Sequence, residues 1–300
     1  MGESVEATAR ADDPPVFANR TNSFNQRMGR VGLRSSVVLG LAIITAHAGT
    51  AMAQPASIGS EASGPPPKDW TFDIGPGAVV APWFEGSANY RVLPIPNLDL
   101  RYQRDKFFVS ARDGVGGTLF EADGFKAGPI LRYRFARNQD GGYLYGMGSV
   151  PFTVEGGGFL RYDLPFVSAK VELRRGLGGS NGLVFDAQVD GKVRVSDTVF
   201  LSAGPRLSVT DGTYNQVYFG VDATQSANSG YAQYYPGGGL RSVGAGASAV
   251  WRISEALTFV AFGSYNYLGD IAGNSPLVTG PGGSRNQFVV GSALSWRFSW

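Results

Sequence analysis

Phe288-Val-Val-Gly-Ser-Ala-Leu-Ser-Trp-Arg-Phe-Ser-Trp300 puts Phe288, Val290, Leu294, Trp296, Phe298 and Trp300 on one side of an extended chain, with Gln287, Gly291, Ser295, Arg297 and Ser299 on the other. Successive strand side chains point to opposite faces, so the segment reads as a strand with one oily, aromatic face and one small or polar face. The closing strand of an outer-membrane barrel has this form, with Phe288, Trp296, Phe298 and Trp300 as its membrane-insertion terminus. A strand of a soluble sandwich alternates in the same way. Recurrence along the chain and an export signal at its front separate the two.

The alternation recurs at 70–80, 90–103, 107–113, 125–136, 152–163, 167–177, 183–195, 199–209, 214–221, 240–253, 257–268 and 287–300. The expectation is all-β: a transmembrane antiparallel up-and-down β-barrel over residues 70–300, of about twelve strands with ten as the other count. Phe125, Ala127, Pro129, Leu131, Tyr133 and Phe135 alternate with Lys126, Gly128, Ile130, Arg132 and Arg134; Val167, Ala169, Val171 and Leu173 alternate with Ser168, Lys170, Glu172 and Arg174. Leu183, Phe185, Ala187 and Val189 alternate with Asp186, Gln188 and Asp190, and Val193 with Lys192 and Arg194. Together with Glu155 and Arg161, the charges on these strands are expected to face the lumen while the oily faces meet lipid. Turn residues fit at Gly178-Gly179-Ser180-Asn181-Gly182, Ser196-Asp197 and Asp211-Gly212. With both termini in the periplasm, 81–89, 114–124, 222–239 and 269–286 become outer loops. The long connection 137–151 then falls on the periplasmic side, against the rule that outer loops are the longer ones, a conflict that a misplaced strand boundary would remove.

Ahead of the strands, residues 36–48 form an apolar run behind Arg27, Arg30 and Arg34 and before Ala51-Met52-Ala53, the charged, oily and small-residue parts of a secretory signal. The run is shorter than the about 20 apolar residues needed to cross a bilayer. Residues 1–53 are therefore expected to be an N-terminal extension and signal peptide, with Met28 as the true start and cleavage after Ala53. Residues 54–69, rich in Pro, Ser and Gly, read as a flexible periplasmic lead-in. A formal net charge of +2 gives no electrostatic footprint for nucleic acid. Cysteine is absent, so an exported chain must be held by something other than disulfides, and a closed hydrogen-bonded barrel suffices.

The single histidine, His47, lies in the expected signal. Processing would leave neither His nor Cys, which removes triads, thiol nucleophiles and nitrogen or sulfur metal sites, and with them any expected cofactor. Catalysis is left with paired carboxylates, Glu155 with Asp163 and Asp186 with Asp190, each pair on one strand face. Arg161, Lys170, Arg174, Lys192 and Arg194 stand near enough to neutralise them, so a ladder of salt bridges filling the barrel is the simpler reading. Trp70, Tyr102, Tyr133, Tyr162, Trp251, Tyr265, Tyr267, Trp296 and Trp300 at strand ends suit interfacial girdles. Gly114-Val-Gly-Gly117, Gly156-Gly-Gly158 and Gly237-Gly-Gly239 lack the lysine and helix of phosphate loops and read as strand-bending elements. Residues 231–239 are expected in a long outer loop, either constricting the mouth or forming a mobile tip.

Tyr218-Phe219-Gly220-Val221-Asp222-Ala223-Thr224-Gln225-Ser226-Ala227-Asn228-Ser229-Gly230 resembles the signature of the MipA/OmpV family of Gram-negative outer-membrane proteins. The motif positions are Tyr218, Phe219, Gly220, Val221, Gln225, Ser226, Ser229 and Gly230. Ala81-Pro82-Trp83-Phe84-Glu85-Gly86-Ser87 followed by Tyr90-Arg91-Val92-Leu93-Pro94-Ile95-Pro96 is similar to the family as well. So are Glu172-Leu173-Arg174-Arg175 leading to Gly178-Gly179 and Asn181-Gly182, and Leu268-Gly269-Asp270 followed by Ser275-Pro276-Leu277-Val278. The resemblance runs in order through residues 70–300. Departures are Phe84 where the family has tyrosine, Ser180 where a histidine is common, and Trp300 in place of phenylalanine.

The resemblance implies the outer membrane of a Gram-negative bacterium and brings no catalytic residues. One branch of the family is a scaffold joining a murein-degrading transglycosylase to a murein-synthesising penicillin-binding protein; other members look like surface proteins or permeation routes. Two functions follow. The first is a non-enzymatic scaffold that binds periplasmic partners through short turns, the N-terminal tail or the 137–151 connection. The alternative is a narrow pore or uptake route for small polar solutes, motivated by the mixed-charge inner face. A barrel of about twelve strands lies between side-chain-filled and water-filled sizes, so strand count does not choose between them.

Overall fold

The computed structural model describes residues 69–139 and 142–300; the expected signal and residues 54–68 of the lead-in lie outside them. The strand segments are β1 (Trp70–Gly75), β2 (Gly77–Pro82), β3 (Tyr90–Pro94), β4 (Asn97–Tyr102), β5 (Phe107–Ser110), β6 (Gly114–Gly116), β7 (Phe120–Ala122) and β8 (Phe125–Arg134). They continue with β9 (Thr153–Asp163), β10 (Val167–Gly178), β11 (Leu183–Arg194), β12 (Val199–Thr210), β13 (Gly239–Arg252), β14 (Leu257–Leu268) and β15 (Asn286–Ser299). All belong to one antiparallel sheet. Pro76, which has no N–H to give, separates β1 from β2, and Ile95-Pro96 separates β3 from β4. Residues 117–119 separate β6 from β7, and both pieces pair with β8. Counted through these breaks, there are twelve strands.

β15 closes the ring. It pairs with β1, setting Ile74 against Trp296 and Asp73 against Arg297, and with β2, setting Val80 against Val290. At the end of this seam the Trp70 N–H donates to the Trp300 carbonyl at 3.1 Å, and the Trp300 N–H donates back to the Trp70 carbonyl at 3.2 Å. The Arg297 guanidinium adds a two-pronged contact to the Asp73 carboxylate, at 2.7 and 2.6 Å. A closed sheet leaves no unpaired edge, which is the condition for strands to cross hydrocarbon.

Alternation then sorts the side chains. In β15, Gln287, Val289, Gly291 and Ser295 are buried, whereas Phe288, Val290 and Phe298 are 49%, 56% and 53% exposed. Leu160, Leu173, Val189, Leu201 and Val243 extend the outward apolar band around the barrel. Aromatic pairs gather at both rims. Trp70 stacks on Trp300 at 6.4 Å and Phe125 lies 4.2 Å from Tyr162 at the end that carries the termini; Tyr133 stacks on Phe152 at 6.4 Å and Tyr265 lies 4.9 Å from Phe288 at the other. Amphipathic rings at two levels mark the two water boundaries of a bilayer.

Two segments depart from the sequence reading, and the departures cancel in the strand count. Residues 114–122, expected in an outer loop, form β6 and β7; glycines and the break opposite Pro129 hide the alternation. Residues 214–221, expected as a strand, fall largely in the helix α1 (Gly212–Phe219). Asp211 caps it by accepting the Tyr214 N–H at 2.8 Å, and the buried Tyr214, Asn215, Tyr218 and Phe219 follow helical spacing. A capping box between Asp222 and Gln225 opens α2 (Ala223–Ser229), which Gly230 ends in the left-handed region at φ 78°. Two short helices, α3 (Asp270–Gly273) and α4 (Pro276–Thr279), follow β14.

The recovered strand reverses the chain direction of β8. The connection 137–151 therefore leaves the end that holds the termini, where the sequence reading set it, and joins 83–89, 211–238 and 269–285 at the other. Short turns at 103–106, 123–124, 164–166, 195–198 and 253–256 share the terminal end. The long connections thus all leave one end, which also holds the short turns 111–113 and 179–182, and only short turns close the other.

Candidate functional site

The long connections fold across one mouth as a cap. Tyr214, Tyr218 and Phe219 of α1 pack with Val150, Ala272 and Val278 from two other connections and with Val184 and Leu268 of the wall. A second cluster joins Phe84, Leu144, Met147, Val221 and Leu277, with Tyr231 and Tyr234 against it. The segment 231–239 is docked here: the Tyr234 hydroxyl donates to Ile271 O at 2.8 Å and that of Tyr231 to Tyr143 O at 3.1 Å. Every motif position has a task in this cap. Tyr218, Phe219 and Val221 fill the two clusters, Gly220 and Gly230 end the helices, and Gln225 both caps α2 and donates to Met147 O at 2.8 Å. Ser226 donates to Tyr231 O at 2.7 Å and Ser229 to Gln225 O at 2.6 Å.

Arg137 ties the cap together. Its guanidinium is buried and donates to Tyr218 O at 2.8 Å and Val217 O at 3.2 Å, the last carbonyls of α1, where a helix favours positive charge. Among the described residues no carboxylate pairs with it, and burial pushes its pKa down to about 10.

Beneath the cap a chain of ion pairs crosses half the barrel wall. Glu85, from the first long connection, accepts from the Tyr214 hydroxyl at 3.1 Å and from Arg241 at 2.5 Å, with Arg134 at 3.8 Å. Arg134 turns its Nε to Glu155 at 3.0 Å, and Glu155 also accepts from Arg174 at 3.1 Å. Arg174 reaches Asp186 at 2.5 Å and pairs with Glu172, which is 2% exposed and is held further by Arg132 at 2.5 Å and Lys170 at 2.6 Å. Ser208 closes the circuit, donating to Asp186 at 2.5 Å and accepting from Arg241 at 2.7 Å. Nearer the terminal end, Arg206 pairs with Asp190 at 2.6 Å and Arg161 with Asp163 at 2.7 Å.

The candidate acids are each engaged by cations: Glu155 and Asp163 belong to different groups of ion pairs, as do Asp186 and Asp190. Arg194, grouped with the inner charges on the sequence pattern, stands apart at the terminal rim, where its side chain is 49% exposed and pairs with Asp197 at 2.9 Å. That grouping also omits Glu85, Arg206 and Arg241. Glu85 sits in a connection, where no periodicity operates. Arg241 lies at a register shift opposite Ser208 and Val209, so it and Ser242 are both buried although they are neighbours in sequence.

The facing wall is different. Val79 of β2, Val260 and Phe262 of β14, and Val289 and Ala293 of β15 present apolar surface to a cavity of about 180 Å³ whose other side is formed by the arginines and acids just described.

The family model for the MltA-interacting protein MipA matches residues 74–298. Among curated proteins, none matches the chain significantly. Solved structures similar to it include an outer-membrane channel from Pseudomonas putida F1, 10% identical over 81% of this chain and 100% of that one, with a TM-score of 0.44. The NanC porin is 12% identical over 74% of this chain and 98% of its own, with a TM-score of 0.36. OmpT of Vibrio cholerae is 10% identical over 77% and 97% respectively, with a TM-score of 0.31.

Proposed function

The chain belongs to the MltA-interacting protein MipA family, and from that premise we propose that it is a non-enzymatic barrel of the Gram-negative outer membrane that holds murein enzymes at its periplasmic face. The partners in this reading are a murein-degrading transglycosylase and, beside it, a murein-synthesising penicillin-binding protein. The observation that carries it is the covered mouth: the cap clusters pack across it, and the ion pairs beneath take up part of the lumen beside the cavity.

The reading sets the termini and short turns in the periplasm and the cap outside, by the usual sidedness of such barrels. Partner contact then falls to the turns at 103–106, 123–124, 164–166, 195–198 and 253–256 and to the lead-in at 54–68, and 137–151 no longer serves. Export belongs to the same reading, with cleavage after Ala53 leaving Gln54 first; N-terminal sequencing of the envelope protein checks it.

The test uses the intact barrel in detergent with a purified soluble murein transglycosylase. Capture is expected to persist when residues are removed from within 138–149 and to fall when 54–68 is deleted or the turns are shortened. Planar bilayers are expected to show no steady conductance. Steady conductance together with failure to retain the transglycosylase overturns the proposal in favour of a solute route.

A further inference from the structure

The cavity between the two walls has a chemistry of its own. Six guanidinium groups line it against three carboxylates, those of Glu85, Glu155 and Asp186. Behind this lining Glu172 pairs with Arg132 and Arg174, and Asp190 with Arg206, and a buried cation short of such a partner is costly. Arg112, in the turn between β5 and β6, is the cation least provided for. Its Nε is buried with no hydrogen-bond partner among the described residues, and its closest carboxylate oxygen, on Asp113, is 3.7 Å away and already bonded to Arg101 at 2.7 Å. Arg112 O, by contrast, is occupied by Arg132 at 2.7 Å, so the turn is fixed while the side-chain Nε is left without an acceptor. A guanidinium offers donors in a fork that matches a carboxylate in two places.

The opposite side carries no charge: its polar groups are the neutral Asn97, Asn266, Gln287 and Ser292. Val79, Val260, Phe262 and Val289 form a continuous apolar lining, and an apolar cavity of about 150 Å³ admits a benzene ring. Pockets that combine an apolar wall with a few convergent charged groups are the usual form of small-molecule sites.

We propose that this lumen cavity binds a small amphipathic anion, a monocarboxylate with a hydrocarbon or aromatic body, its carboxylate on Arg112 and the neighbouring guanidinium wall and its body against Val260, Phe262 and Val289. Binding here is independent of any murein partner, since the cavity lies between the walls and away from the periplasmic turns.

Titration calorimetry on the full barrel in detergent, with benzoate, tests it. Saturable binding at one site per barrel is expected. Benzyl alcohol, which keeps the ring and loses the charge, benzylamine, which reverses the charge, and acetate, which keeps the charge and loses the body, are each expected to bind at least tenfold more weakly. Arg112→Ala is expected to weaken benzoate at least tenfold, with Arg112→Lys recovering part of the loss. Val260→Trp is expected to abolish saturable binding while the protein keeps its heat-modifiable mobility on gels. The proposal is overturned if benzoate shows no saturable binding, if benzylamine or acetate binds as tightly as benzoate, or if Arg112→Ala leaves the affinity unchanged.

Discussion

The inward faces of β8 to β13 and those of β14, β15 and β2 enclose the same lumen and obey different rules. On the first wall, Glu155, Glu172 and Asp186 each hold two or more polar partners, and the circuit runs through Arg241 and Glu85 into the cap. On the second, Val79 and Val289 pack with Phe262, and the charge of Arg297 is confined to the seam pair with Asp73. Charged side chains held by several partners define one geometry and lose much when a single partner is removed. Apolar side chains facing a void have fewer contacts to lose. The charged wall therefore fixes the shape of the barrel and the position of the cap, while the apolar wall leaves room.

The sharpest way to break this comparison is Glu172→Ala. It strands Lys170, Arg132 and Arg174 around a removed carboxylate in a buried setting, and a loss of about 3–5 kcal/mol in unfolding free energy is expected. Urea unfolding of the barrel in lipid vesicles measures it. Replacing Lys170 by Met and Glu172 by Leu together removes one charge of each sign and is expected to cost less than Glu172→Ala alone. If the double variant is the less stable of the two, the wall is held by something other than mutual satisfaction of its charges.

Phe262→Ala probes the other wall. Phe262 is partly buried against Val79 and Val289, so the expected cost is about 2 kcal/mol, below the roughly 3–5 typical of a fully buried phenylalanine. A cost equal to that of Glu172→Ala in the same assay would erase the distinction between the walls.

The walls were legible in the sequence to different depths. Where both faces of a strand carry contrast, as in Val167 to Arg174 against Lys170 and Glu172, period-two alternation gives the strand, its faces and the inward charges at once. β6 and β7 carry no such contrast over any length: glycines at 114 and 116 blank one face of β6, and the pairing breaks opposite Pro129 before the three residues of β7. The cap was misread for the opposite reason. Tyr214, Val217, Tyr218 and Val221 have the composition of a strand, and the local signals that overrule it, Asp211 as an N-cap and Asp222 with Gln225 as a capping box, are polar residues in a stretch read for its apolar ones. Arg112 left no mark at all, because what distinguishes it is an Nε with no acceptor among the described residues, a property of three dimensions.

The gentlest probe lies where the charged wall meets the cap. Arg137→Ala deprives two terminal carbonyls of α1 of a charged donor, which destabilises the cap, and it also removes a buried cation that no carboxylate among the described residues balances, which relieves it. The two terms oppose each other. Global unfolding is therefore expected to shift by no more than about 1 kcal/mol, whereas the local opening of α1 gains the full loss of its anchor. Amide exchange should reveal the difference: peptides covering Gly212–Phe219 are expected to exchange about tenfold faster, corresponding to about 1.4 kcal/mol, with β10 unchanged. Arg137→Lys, which keeps the charge near the helix end but not the two-pronged reach, is expected to fall between. Exchange that rises equally in α1 and in β10 would mean that cap and wall open together, and that the boundary between them is not where Arg137 stands.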